Sequence, residues 1–205
     1  MALARGLAGT VGTTSRGGQI RKEGIRKKGI RVTADWRVRR IDVGEGLRLR
    51  GLRLHALADA PTAFGSTLAR EEAYAEEVWH QRATEGAAAI ERVIFVAERA
   101  GDWLGMASGL ADTPQQSVPM GPVLVGMFVD RSARRLGVGK ALIEGVGGWA
   151  ASRGYEWLHL WVVSTNAPAL SLYRQLGFAA TGGARPLTHT PGLTEVHMVK
   201  RLASP

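Results

Sequence analysis

The chain has 205 residues, no cysteine and a formal net charge of +9. The lack of cysteine excludes disulfides, thiolate metal sites and a cysteine nucleophile. No apolar run approaches the ~18 residues of a membrane span, and the N-terminus lacks a secretory apolar stretch, so a cytoplasmic protein without membrane contact is expected.

The charge is unevenly spread. Residues 1–31 hold Arg5, Arg16, Arg21, Lys22, Arg26, Lys27, Lys28 and Arg31 against Glu23 alone, and the remainder is close to neutral. Basic arms bind nucleic acid electrostatically. This one is also Gly-rich, without aromatics and poor in large apolar residues, which is the composition of a disordered tail. A true start near Val32 is the alternative. Because the charge sits in the arm alone, a nucleic-acid partner is not expected. The expected organisation is an arm over 1–33 and one domain over 34–203.

From Trp36 to Val43 apolar and charged residues alternate, as in a half-exposed strand. Gly44 to Asp59 is Leu-rich and free of proline, which predicts a helix ended by Ala60-Pro61. Ser66 or Thr67 can cap a second helix running to about Glu85, with Tyr74, Val78 and Trp79 on its buried face. Glu71, Glu72, Glu76 and Glu77 on this helix read as a solvated acidic surface.

Strands follow over Ile90–Glu98 and Trp103–Leu110, joined by the turn Arg99-Ala100-Gly101-Asp102. A loop over 111–122 precedes Val123–Val129, a nearly all-apolar run expected of a strand buried on both faces. Gly137–Ser152 is helical, with Val138, Leu142, Val146 and Trp149 on one side. Gly145, Gly147 and Gly148 weaken that helix, which implies a close neighbour against its backbone. Trp157–Val163 is a further apolar strand. Asn166–Leu176 is a helix with Thr165 or Asn166 as cap and Pro168 in its first turn. Strands over Phe178–Thr181 and Leu193–Arg201 close the chain around a Gly/Pro loop. The order β-α-α-β-β-β-α-β-α-β-β predicts an α/β (α+β) fold, a mixed sheet with helices on both faces.

Two segments carry chemistry. Arg134-Arg135-Leu136-Gly137-Val138-Gly139-Lys140 joins a buried strand to a helix. A helix start offers unpaired backbone N–H groups and partial positive charge, and glycines let an anion approach the backbone. This is a pyrophosphate site in outline. It is not a Walker A loop, since no Lys-Ser/Thr pair follows the glycines, and a Rossmann fingerprint would need a third glycine. The second segment, Asn166 to Phe178, opens a helix with Asn, places Tyr173 seven residues later and closes with Leu-Gly-Phe.

In this order the two segments resemble the GNAT superfamily of N-acetyltransferases, and the resemblance extends over roughly 36–201. It implies acetyl-CoA as cosubstrate and no metal. It implies that Met127, Phe128 and Val129 pair with pantetheine like an added strand, one N–H polarising the thioester carbonyl. It assigns the pyrophosphate to Arg134, Arg135, Leu136, Gly137, Val138, Gly139 and Lys140, and a cofactor contact to Asn166. Tyr173 becomes the cofactor contact and general acid that protonates the departing thiolate. Helix capping is the plainer role of Asn166, and packing that of Tyr173.

An alkylammonium has a pKa near 10.4 and must lose a proton before it attacks. The glutamate that some relatives carry five residues before the Asn is Trp161 here, and the other familiar glutamate position falls near Val123. His159, on the same strand face as Trp161, is a candidate base, with Glu195 and His197 behind it. The expected acceptor is a small-molecule amine attacked within a ternary complex. A protein Lys or N-terminal acceptor is the alternative, and a non-catalytic CoA-binding module a distant one. A monomer or a homodimer is expected.

Overall fold

The computed structural model describes residues 35–111 and 121–203. The basic arm over 1–33 and most of the loop over 111–122 lie outside the described residues. The first strand, β1 (Arg37–Arg40), is shorter than its alternating pattern, because Asp42 and Glu45 form a capping box around a 3-10 turn at Val43–Glu45. That turn leads into α1 (Gly46–Asp59), which buries Leu49, Ala56 and Leu57.

The expected second helix is two helices. Thr67 caps α2 (Leu68–Glu72), its hydroxyl accepting from the Arg70 N–H at 3.3 Å. The chain then breaks at Ala73-Tyr74-Ala75 before α3 (Glu76–Ala88). No glycine or proline marks the break. Glu71 at its edge is 3% exposed and bound to Arg53 and Arg82, so it is no part of a solvated acidic face. Tyr74 falls in the break and packs on Trp79, which is fully buried.

Strands β2 (Arg92–Arg99) and β3 (Asp102–Leu110) form a hairpin. Its two-residue turn has positive φ at Ala100 (49°) and Gly101 (93°), the geometry that suits right-twisted strands. Ile90, expected in the strand, stays outside it and is 58% exposed. Next come β4 (Val123–Val129), α4 (Val138–Ser152), β5 (Trp157–Val163), α5 (Ala167–Gln175), β6 (Ala179–Pro186) and β7 (Thr194–Arg201). The outermost strand β6 runs further than expected, to Pro186, after an irregularity between Ala180 and Ala184; an edge strand tolerates proline.

The sheet order is β1-β2-β3-β4-β5-β7-β6, and only β4 and β5 run parallel. Alternation along β2 splits the core in two. Val93 and Ala97 join Val138, Leu142 and Val146 of α4 on one face, and Ile94 and Val96 join Leu57, Trp79 and Ala83 on the other. Of Gly145, Gly147 and Gly148 in α4, Gly145 has the expected close neighbour. A Cβ there would sit 3.2 Å from the Phe95 ring. Gly148 faces open space, so its helix cost is not explained by packing.

Candidate active site

The site begins where two parallel strands part. β4 and β5 pair only at Val123–His159 and Leu124–Leu160. At Gly126 the backbone takes φ 62°, and the register against β3 shifts between Met106 and Ser108. This bulge turns β4 away from β5. Among the described residues the edge of β4 over Gly126–Val129 has no strand partner on that side, and a cleft of about 1420 Å³ opens there.

The loop after β4 carries α4 into this cleft. Arg135 has φ 65° and Gly137 φ 86°, so the backbone folds tightly before the first helical turn. Gly137 is the N-cap and supplies no side-chain hydrogen bond. Its neighbours contrast with it: Thr67 caps α2, and Asn166 caps α5 by accepting from the Ala169 N–H at 3.2 Å. The leading N–H groups of α4 therefore remain available to an anion. Gly139 sits in the first turn where β4 and α5 converge. A Cβ on it would come within 3.1 Å of Met127 Cε and 3.2 Å of Leu172 Cδ2.

The basic side chains of the loop are not equally free. Arg134 donates from Nη2 to Asp59 at 2.6 Å and from Nε to the Val129 carbonyl at 3.0 Å. Arg131 binds the other Asp59 oxygen. Lys140 lies 3.7 Å from Glu144 and is exposed, as are Arg135 and Leu136. Val138 turns into the core.

From α5 the cleft receives Asn166 and Tyr173. Tyr173 is 7% exposed and packs edge-on against Phe178. Burial pushes its hydroxyl up to about 12, so it is a neutral donor at physiological pH. No hydrogen bond among the described residues engages that hydroxyl.

The structure does not bring His159 to the cleft wall. It shares a strand face with Trp161, but its Nδ1 lies 3.2 Å from His197 Nε2, and the two rings stack. His197 Nδ1 lies 2.8 Å from Thr181 Oγ1. Burial, joined by the charge of His197, lowers the pKa of His159; burial, joined by Arg185, lowers that of His197. Both shifts favour the neutral imidazole. Glu195 does line the cleft, held by Arg185 Nε at 2.8 Å, and the Arg185 guanidinium lies over Trp161.

Sequence reasoning missed the opposite wall. Arg53, Glu71, Arg82 and Arg92 line the cleft from α1, α2, α3 and β2. Glu71 was expected on a solvated face and the three arginines carry no motif, so only the tertiary fold gathers them. Asp59, the anchor of Arg134, was missed for the same reason. Among the described residues, no group of three His, Asp or Glu side chains is placed to hold a metal, and no helix is long and apolar enough to cross a membrane.

Comparison with known proteins agrees with this geometry. The model of the acetyltransferase (GNAT) family matches residues 55–178. A mycothiol acetyltransferase of Thermobispora bispora is 31% identical over 170 residues, covering 72% of this chain and 54% of that protein. The chain thus spans about half the length of this curated relative. A GNAT-family acetyltransferase from Streptococcus pneumoniae has the same fold, with a TM-score of 0.67 at 20% identity over 82% of this chain and 99% of that one. A Salmonella typhimurium structure, described as an acetyltransferase with its cofactor acetyl-CoA, gives a TM-score of 0.65 at 18% identity over 83% and 95%. The family match takes in both the uncapped start of α4 and the whole of α5, and the chain belongs to the acetyltransferase (GNAT) family.

Proposed function

We propose that the chain transfers an acetyl group from acetyl-CoA to a primary amine of a small molecule. One observation carries the reading: the uncapped N-terminus of α4, the unpaired edge of β4 and Tyr173 border one cleft. In the Salmonella typhimurium protein the same fold holds acetyl-CoA. Gly137 fits this ligand, because it puts no Cβ over the leading N–H groups, while Gly139 lets the first turn of α4 pack against Met127 and Leu172.

Bound acetyl-CoA supplies an activated acyl carbon, to which the amine nitrogen bonds as the carbon–sulfur bond breaks. The N–H groups of Gly137 to Lys140 hold the pyrophosphate, with charge from Arg135 and Lys140. Arg134 acts mainly by fixing the loop to α1 through Asp59. The open edge of β4 at Met127–Val129 accepts the pantetheine arm and turns a backbone N–H onto the thioester oxygen. Tyr173 donates its proton to the departing sulfur and is restored by the proton released from the amine. Asn166 sets the start of α5 and turns its amide N–H₂ toward the cofactor.

The small-molecule reading is supported by the outer wall of the cleft, where Ala63, Phe64 and Gly65 stand beside α2 and α3. We place the activity in residues 34–203. Removing residues 1–31 leaves turnover unchanged on this reading. The test is acetyl-CoA-dependent thiol release with a panel of small amines and peptides. Turnover of small amines supports the proposal; turnover of peptides alone contradicts the small-molecule part.

A further inference from the structure

The cofactor residues lie on the α4–α5 face of the sheet, and the same cleft continues to the α1–α3 face past the Gly126 bulge. On that second face the charges do not balance. Arg53, Arg82, Arg92 and Arg185 line it against Glu71 and Glu195, and Glu85 lies 3.2 Å from Arg92 Nε. Both carboxylates are already engaged, Glu71 by Arg53 and Arg82, and Glu195 by Arg185.

Arg53 is held firmly. Its Nε and Nη2 donate to the two Glu71 oxygens at 3.0 and 2.7 Å, and its guanidinium stacks on Phe64 at 4.6 Å. Its remaining nitrogen, Nη1, is buried with no hydrogen-bond partner among the described residues. A buried donor without a partner is costly, and a charged one more so. Nη1 points at the bulge: the position of a Cβ on Gly126 lies 3.8 Å from it and 3.8 Å from Ser108 Oγ. Trp79 and Trp161, lining the same space, also bury an indole N–H without a partner. Burial, and repulsion from Arg82, lower the pKa of Arg92 despite Glu85, as expected of an under-compensated cation. This wall thus offers donors and positive charge, while its acceptors are spent.

We infer that the acceptor is an amine that also carries a carboxylate, and that Arg53 Nη1, with Ser108 Oγ facing the same point at the bulge, binds that carboxylate. A free guanidinium N–H fits an oxyanion, and one carboxylate suits a single free N–H better than a phosphate with three acceptor oxygens. The arrangement also bears on the missing base. An ammonium entering a cationic wall is destabilised, so its pKa falls and the free amine is favoured. Polyamines and other acceptors without an anionic group are disfavoured.

The inference rests on the acetyl-transfer reading, and the test separates the two. L-amino acids are compared with their amides, their decarboxylated amines and phosphate-bearing amines, both in turnover and in calorimetric binding to the CoA-loaded protein. The carboxylate-bearing member of each set is favoured by roughly tenfold or more. Ser108→Ala reduces that preference several-fold, and Arg53→Gln, if folded, brings it close to one. Equal binding of acids and amides, or a preference for amides, polyamines or phosphate-bearing amines, overturns the inference. If no amine turns over, acetyl transfer fails, and the binding comparison alone decides the carboxylate.

Discussion

The Arg134 guanidinium donates to the Asp59 carboxylate at 2.6 Å, so the leading arginine of the α4 loop is tied to the last residue of α1. Its Nε closes a second bond on the Val129 carbonyl, at the end of the open β4 edge. Arg134 therefore braces the loop. Arg134→Gln is expected to lower the melting temperature while changing CoA affinity less than about threefold, since the phosphate binds chiefly to backbone N–H groups. Thermal unfolding and calorimetric titration with CoA check this. A large loss of CoA affinity at unchanged stability would return Arg134 to the phosphate itself.

Gly137 combines φ 86° with the N-cap position. Any other residue there is strained by about 1–2 kcal/mol. Gly137→Ala is expected to weaken CoA binding by roughly tenfold, because the strain is relieved by turning the first N–H groups away from the anion. Titration with CoA at low salt measures the effect.

Asn166 offers a clean separation of two roles. Its Oδ1 caps α5, and its amide N–H₂ remains for a ligand. Asn166→Ala removes both and should cost about 1 kcal/mol, a shift of roughly 2–4 °C in Tm. Asn166→Asp keeps the cap and loses the donor. It is expected to hold the wild-type Tm while CoA affinity falls. If both properties stay at wild-type values, Asn166 is a cap alone.

Tyr173 is held neutral by burial, with its pKa up at about 12. A raised pKa on an acid preserves its protonated form as pH rises, so the hydroxyl remains a donor throughout the working range. kcat/KM should climb with pH towards the pKa of the free acceptor ammonium, near 10.4 for an alkylamine in water, while kcat levels off at lower pH because the cationic wall depresses that pKa in the complex. No alkaline fall from Tyr173 is expected below about pH 11. Tyr173→Phe should lower kcat by roughly 100-fold with little change in CoA affinity. A falling alkaline limb near pH 8 to 9 that vanishes in Tyr173→Phe would contradict the raised pKa, and an unchanged kcat in Tyr173→Phe would contradict its role as the acid.

Much of the frame was legible in the sequence. The apolar runs Val123–Val129 and Trp157–Val163 became β4 and β5 with the same bounds, since continuous apolar character marks buried strands. The helix starts at Gly137 and Asn166 were marked by local chemistry, and both lie in the cleft. The parting of β4 from β5 had one signal, Gly126 within an apolar run, and such a glycine marks a bulge. The break between α2 and α3 had none, because it follows from burying Glu71 between Arg53 and Arg82. Hydrophobic periodicity reports burial of apolar groups and is blind to a buried ion pair. The candidate base at His159 was chosen for its pKa and strand face, and its partner His197, on the neighbouring strand, was not foreseeable from spacing.

The central claim is acetyl transfer from acetyl-CoA to an amine at the β4–β5 opening. Thiol release from acetyl-CoA, followed with mass analysis of the acceptor across amines, amino acids and peptides, tests it most directly. Amine-dependent release, matched one for one by a singly acetylated amine, is the expected result. Tight CoA binding with no acetylated product from any acceptor would contradict it.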